Sequence, residues 1–161
     1  MTKMSRVRPV TLAAQILLLA YFELCVLLPM GAWNDQPGMH AGFSLGMLIL
    51  PLAIGFGQLL LLFGSIREIR TLLWIGLSAD ILWLASHVVG LWVPYIRGAT
   101  PQYAAMYERA FSRTTKLLPN YGNHIAPDAM HIVLDVLLLS TIVTVAWQLR
   151  MLHAAATRRT N

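Results

Sequence analysis

Four apolar stretches constrain this chain more than any motif: Val10 to Trp33, Phe43 to Ile66, Leu72 to Tyr95 and Ala129 to Leu149. Each reaches the ~20 residues that cross a ~30 Å hydrocarbon core. Of the 161 residues, 57% are hydrophobic and 12% charged, against ~45–50% and ~25% in soluble domains. That excludes a soluble globular protein. The expected fold is all-α: a single polytopic domain over 1–161, with four transmembrane helices in an antiparallel bundle. The longest segment between spans, Ile96 to Asp128, is too short to bury a core of its own.

The net charge of +5 does not indicate nucleic acid, because the basic residues lie at segment ends rather than along one helix face with stacking aromatics. Orientation accounts for them. Lys3, Arg6, Arg8, Arg67, Arg70, Arg150, Arg158 and Arg159 flank one side, and Arg97, Arg109, Arg113 and Lys116 the other. This asymmetry predicts an inner-membrane, multi-pass protein with both termini cytoplasmic. The first span exceeds the ~7–15 apolar residues of a signal peptide and carries Glu23, so it is expected to stay as a helix. The single cysteine, Cys25, excludes an intrachain disulfide.

Asn34 to Gly38 supplies the turn residues that would stop the first helix on the outer side. Arg67 to Arg70 is so short that the second and third helices must be antiparallel neighbours. Trp33, Trp92 and Tyr95 fall at one expected boundary and Trp74 and Trp147 near the other, as amphipathic rings do at headgroup depth. Beyond the third span, Thr100 and Pro101 form a helix start. Tyr103, Tyr107, Phe111 and Leu118 then recur near helical spacing, predicting an amphipathic outer-surface helix over 100–118. Pro127 and Asp128 open the fourth span, where an acid suits the positive helix end.

The polar residues inside the spans carry the functional reading: Glu23, Gln58, Asp80, His87, His131 and Asp135. A charge at mid-bilayer costs at least ~2.5–3.5 kcal/mol, so ionisable residues there normally face the interior and are functional candidates. At ~1.5 Å per residue, Glu23 falls roughly 15 Å below the outer boundary, His87 about 12 Å, Asp135 about 10 Å and His131 about 5 Å. Asp80 and Gln58 fall deeper. Asp80, Trp83 and His87 are spaced i, i+3, i+7, and Asp128, His131 and Asp135 repeat that spacing, so each trio lies along one helix face. The inner half of the fourth span is expected to close the polar zone, with Gln15 the one residue that would extend it. A structural alternative stands beside this: His131 and Asp135, at i, i+4, would satisfy each other, and Asp80 or Glu23 would bond Gln58 and stabilise helix association.

Burial and pairing push pKa values apart, which is the requirement for acid/base chemistry in one pocket. Glu23 and Asp80 are the expected acids and His87 and His131 the bases. Asp135 is the partner that sets a histidine's tautomer, and Trp83, Gln58 and Tyr107 would line the substrate. The substrate class is a lipophilic small molecule that is isomerised, cyclised or opened, a reaction needing no cofactor. No metal is expected, since His-Glu-x-x-His and paired Glu-x-x-His patterns are absent. The alternative is a proton-coupled carrier subunit, dimeric because four helices alone are too narrow for a route, or a lipid-binding protein. In general organisation, a four-helix membrane protein with inward acids and histidines resembles the emopamil-binding family of sterol isomerases. The resemblance rests on no motif across Trp83 to His87 or Pro127 to Asp135 and implies no residue roles.

Overall fold

The computed structural model describes residues 3–35 and 45–160; the expected turn residues Gln36, Pro37 and Gly38 and the first residue of the second span, Phe43, lie outside them. The described chain is helical: α1 (Lys3–Leu27), α2 (Leu45–Arg67), α3 (Arg70–His87), α4 (Val93–Arg97), α5 (Pro101–Phe111) and α6 (Ala129–Thr160). A π-helical turn, Val88–Trp92, joins α3 to α4 without a break, and a 3₁₀ turn, Gly31–Trp33, follows α1. Three stretches are long and apolar enough to cross a membrane, Val7–Leu27, Arg70–Arg97 and Ala129–Arg158, and α2 adds a shorter apolar segment, Pro51–Arg67.

Helices α1 and α3 do not form a major contact; each packs against both α2 and α6. Arg8 donates to the Ile66 carbonyl at 2.7 Å and Gln15 to Ser65 Oγ at 2.8 Å, tying α1 to α2. Thr11 reaches the Thr144 carbonyl at 3.1 Å and Tyr21 that of Met130 at 3.0 Å, tying α1 to α6. Arg70 donates to the Leu152 carbonyl, so the start of α1 and the last turns of α6 share one end with Arg8 and Arg67. Side chains added at Gly64 and Gly76 would collide with Leu72 and Leu61; small residues let apolar helices approach closely where no hydrophobic force separates them from lipid. Leu61, Leu73, Leu77, Val145, Leu149 and Leu152 fill the core near the terminal end, and Leu18, Phe22, Leu134 and Leu138 the middle. Outward faces are apolar too: Leu52, Leu82 and Val89 are 68%, 70% and 67% exposed, as expected of a chain solvated by hydrocarbon.

Three boundaries differ from expectation. Helix α1 stops at Leu27 rather than Trp33 because Pro29 lacks the N–H that would reach the Cys25 carbonyl. Buried Asn34 takes over that carbonyl at 2.8 Å and accepts from the Met30 N–H at 2.9 Å, so the residue read as a turn former is the cap of α1. Helix α5 keeps its Thr100 cap, bonded to Tyr103 N at 3.3 Å, but ends at Phe111 rather than residue 118. There the Thr114 hydroxyl turns back to the Phe111 carbonyl at 2.7 Å, and Thr115 N is drawn to the Ala32 carbonyl at 2.7 Å. The cap is thereby fastened to α1's loop, which amphipathic spacing alone could not disclose. Helix α6, finally, runs on past Leu149 to Thr160.

Candidate functional site

The site begins with a fault in a helix. Pro94 has no N–H, and the chain answers by widening, so that Val93 N bonds the Val88 carbonyl five residues back. In α geometry five residues turn about 500°, which would leave Trp92 well off the His87 face; an i to i+5 turn brings it back. Both side chains then reach Asp135 on α6. His87 Nδ1 lies 2.5 Å from Asp135 Oδ1, and the Trp92 indole N–H donates to Oδ2 at 2.8 Å. The Gly90 carbonyl released by the widened turn accepts from Tyr103 Oη of α5 at 2.6 Å, an approach that leaves tight room for a side chain at position 90.

Hydrogen-bond chemistry fixes the tautomer of His87. One helical turn earlier, Trp83 Nε1 lies 3.1 Å from His87 Nε2, and an indole N–H can only donate. Nε2 is therefore an acceptor, the proton is on Nδ1, and it is donated to Asp135. With Trp92 donating to its other oxygen, Asp135 accepts from both side chains. Every polar atom of this set is engaged.

His131 lies beside it, ring centroids 5.6 Å apart, with a different partner from the one its i, i+4 spacing offers. Asp128 Oδ1 accepts from His131 Nδ1 at 2.8 Å and from the His131 backbone N–H at 2.9 Å, while the Thr114 hydroxyl lies 3.4 Å from Oδ2. Asp128 is fully buried. Burial alone would raise its pKa, but the His131 bonds and the nearby Lys116 charge outweigh it, and the carboxyl sits below its ordinary 3.8. An ionised Asp128 obliges Nδ1 to carry the proton; in the neutral ring Nε2 is then a lone-pair acceptor, and it has no hydrogen-bond partner among the described residues. Phe111 holds the ring edge-on at 5.2 Å.

His87 and His131 both line a cavity of about 250 Å³ whose other walls include Trp83, Tyr21, Phe22, Cys25, Ile54 and Leu134. Trp83 and Ile54 also border a second cavity of about 230 Å³ that contains Asp80 and Gln58. There Gln58 Nε2 donates to Asp80 Oδ1 at 2.6 Å, and Asp80 Oδ2 is buried without a partner. Of the residues singled out from the sequence, His87, His131, Asp135 and Trp83 thus meet in one site, and Asp80 and Gln58 occupy its neighbour. Glu23 does not join them. It lines a separate groove with Ala20, Leu24 and Leu27, packed where a side chain at Gly55 would collide with it. Tyr107 is not in the cavity wall either: its hydroxyl bonds the Ala126 carbonyl at 3.3 Å, and Lys116 Nζ lies 4.6 Å over its ring.

Two members were not singled out as site residues. Trp92 reads as an interface anchor until the π turn is known, and Asp128 reads as a helix-opening acid, although its i, i+3 spacing to His131 was the available signal. The terminal half also differs from the closed zone expected there. Gln15, Ser65, Thr141 and Gln148 are all buried, both amides bond Ser65, and Gln15 Oε1, Thr141 Oγ1 and Gln148 Oε1 lack partners. Among the described residues no three His, Cys, Asp or Glu side chains are grouped to hold a metal ion. Comparison with family models, curated proteins and solved structures found no match.

Proposed function

We propose that this chain is a four-span antiparallel bundle of the inner membrane, both termini cytoplasmic, that binds a lipophilic hydroxylated small molecule and rearranges it by acid/base chemistry. Four antiparallel spans are supported by the helix pairings above, and the orientation by the eight basic residues on the terminal side against four on the other. The chemistry rests on one observation: the unpartnered Nε2 of His131, in an imidazole whose Nδ1–H is pinned by a buried carboxylate 2.8 Å away. Such a nitrogen accepts a proton, so its ligand presents an O–H or N–H. Asp128 stabilises the imidazolium that results. His87, bonded at both nitrogens, positions the site, and Asp80 in the adjoining cavity is the acid that returns a proton. The cavity's apolar walls select a lipophilic body.

Mass spectrometry of lipids co-purifying with wild type and His131→Gln tests this. An enzyme leaves converted product in the wild type and unconverted, still-bound ligand in the variant; a ligand lacking any hydroxyl or amine would sink the proposal. A second reading, a proton-coupled carrier working as a homodimer, draws on the buried Gln15, Ser65, Thr141 and Gln148 layer, which continues polarity toward the terminal end. For that reading, single substitution of Asp80 abolishes pH-driven flux in liposomes; for the enzyme, ligand affinity survives while turnover falls.

A further inference from the structure

At the terminal end, far from the histidine pair, α3 and α6 enclose a groove of about 300 Å³. Its α3 wall is Arg70, Trp74 and Leu77, spaced i, i+4, i+7, and its α6 wall is Ala146, Leu149, Arg150 and His153. The two walls grade in the same direction, cationic at the end of the molecule and apolar toward its middle. No acidic side chain lines it. The nearest acid in sequence, Glu68, is 3.8 Å from Arg8 instead. Arg70 is fixed by its bond to the Leu152 carbonyl, so its charge is presented at the groove mouth rather than left to swing. Trp74 is 59% exposed beside it, an amphipathic ring at the boundary between charged and apolar zones.

We infer that this groove binds an anionic phospholipid, the phosphodiester between Arg70 and Arg150 and an acyl chain along Leu77 and Leu149. Charge favours a phosphate, since basic pockets between membrane helices on one leaflet hold anionic headgroups. The apolar lower wall favours a lipid over free phosphate. The inference is independent of any chemistry at His131.

The test uses the full chain, delipidated in neutral detergent, with native mass spectrometry reading phosphatidylglycerol against phosphatidylcholine of matched chains. Phosphatidylglycerol is expected to bind more tightly, and Arg150→Gln to weaken it on the order of fivefold, the worth of one basic residue near a charged surface. Arg150→Gln is preferred to an Arg70 variant because Arg70 also ties α3 to α6; His153→Gln serves as the second variant and weakens binding less. Arg109→Gln, at the opposite end, leaves it unchanged. Equal binding of the two lipids, or indifference to Arg150→Gln, overturns the inference. Displacement of the lipid by equimolar inorganic phosphate overturns the lipid assignment in favour of a free anion.

Discussion

His87 and His131 stand 5.6 Å apart, and each gives its Nδ1 proton to a buried carboxylate. They differ at the other nitrogen. Trp83 closes His87 Nε2, and Trp92 closes the second oxygen of Asp135, so that set is a strut between α3 and α6. His131 is pinned from one side only, by a carboxylate at the start of its own helix. Similar pairs therefore differ in what they leave open, and the difference is set by whether an aromatic donor sits on the far nitrogen.

The largest effect is expected at the open histidine. His131→Gln should lower turnover of the co-purified ligand by about 10²–10⁴-fold, the usual worth of a general base, and should also lower the thermal midpoint, because buried Asp128 loses its imidazole partner; intact turnover would erase the distinction drawn between the two rings. Next is Asp128→Asn, expected to cost on the order of 10- to 100-fold in rate, the equivalent of the ~1.5–3 kcal/mol carried by a charged hydrogen bond. It also predicts a pH signature. The folded carboxyl lies below the ordinary 3.8, so its stabilisation is fully present above 3.8 and is lost as pH falls through the lower folded value. The stability gap between wild type and Asp128→Asn should narrow as pH falls from 3.8 through the lower folded value, as read by denaturation in detergent; a gap that opens on acidification would contradict the assignment.

The closed pair should respond the other way. Asp135→Asn replaces one of the two oxygens that bind His87 and Trp92 and is expected to lower stability by about 1–3 kcal/mol, with turnover changed less than tenfold. A variant that unfolds no more readily but loses all activity would make His87, not His131, the reacting group.

How much of this could be read from residue order differs by element. The membrane-crossing helices and the shared face of Asp80, Trp83 and His87 follow from apolar length and 3.6-residue spacing, which act locally. Pro29, Pro94 and Asn34 act through carbonyls that a missing N–H releases, and which group collects them depends on distant chain: Asn34 takes that of Cys25, Tyr103 that of Gly90. Depth counting grouped Glu23 with the histidines because rise along a helix carries no information about which groove a side chain enters. His131 and Asp135 were a plausible i, i+4 pair, yet the π turn gave Asp135 two partners from α3 and its extension, and left His131 to Asp128.

The smallest predicted effect isolates that turn. Tyr103→Phe keeps the ring but withdraws the donor from the Gly90 carbonyl, bonded at 2.6 Å, at an expected cost of about 0.5–1.5 kcal/mol. Pro94→Ala restores a backbone N–H at the position that caused the widening, so the turn can rewind toward α geometry and satisfy that carbonyl itself. In the Pro94→Ala background, then, Tyr103→Phe should cost little, a non-additivity readable in a double-mutant cycle on thermal unfolding. Rewinding also swings Trp92 off Asp135, loosening one bond of the closed pair while Asp128 and His131 stay as they are. If the tyrosine's cost is the same in both backgrounds, the widened helix is held by something other than proline and phenol, and the strut between α3 and α6 needs a different origin.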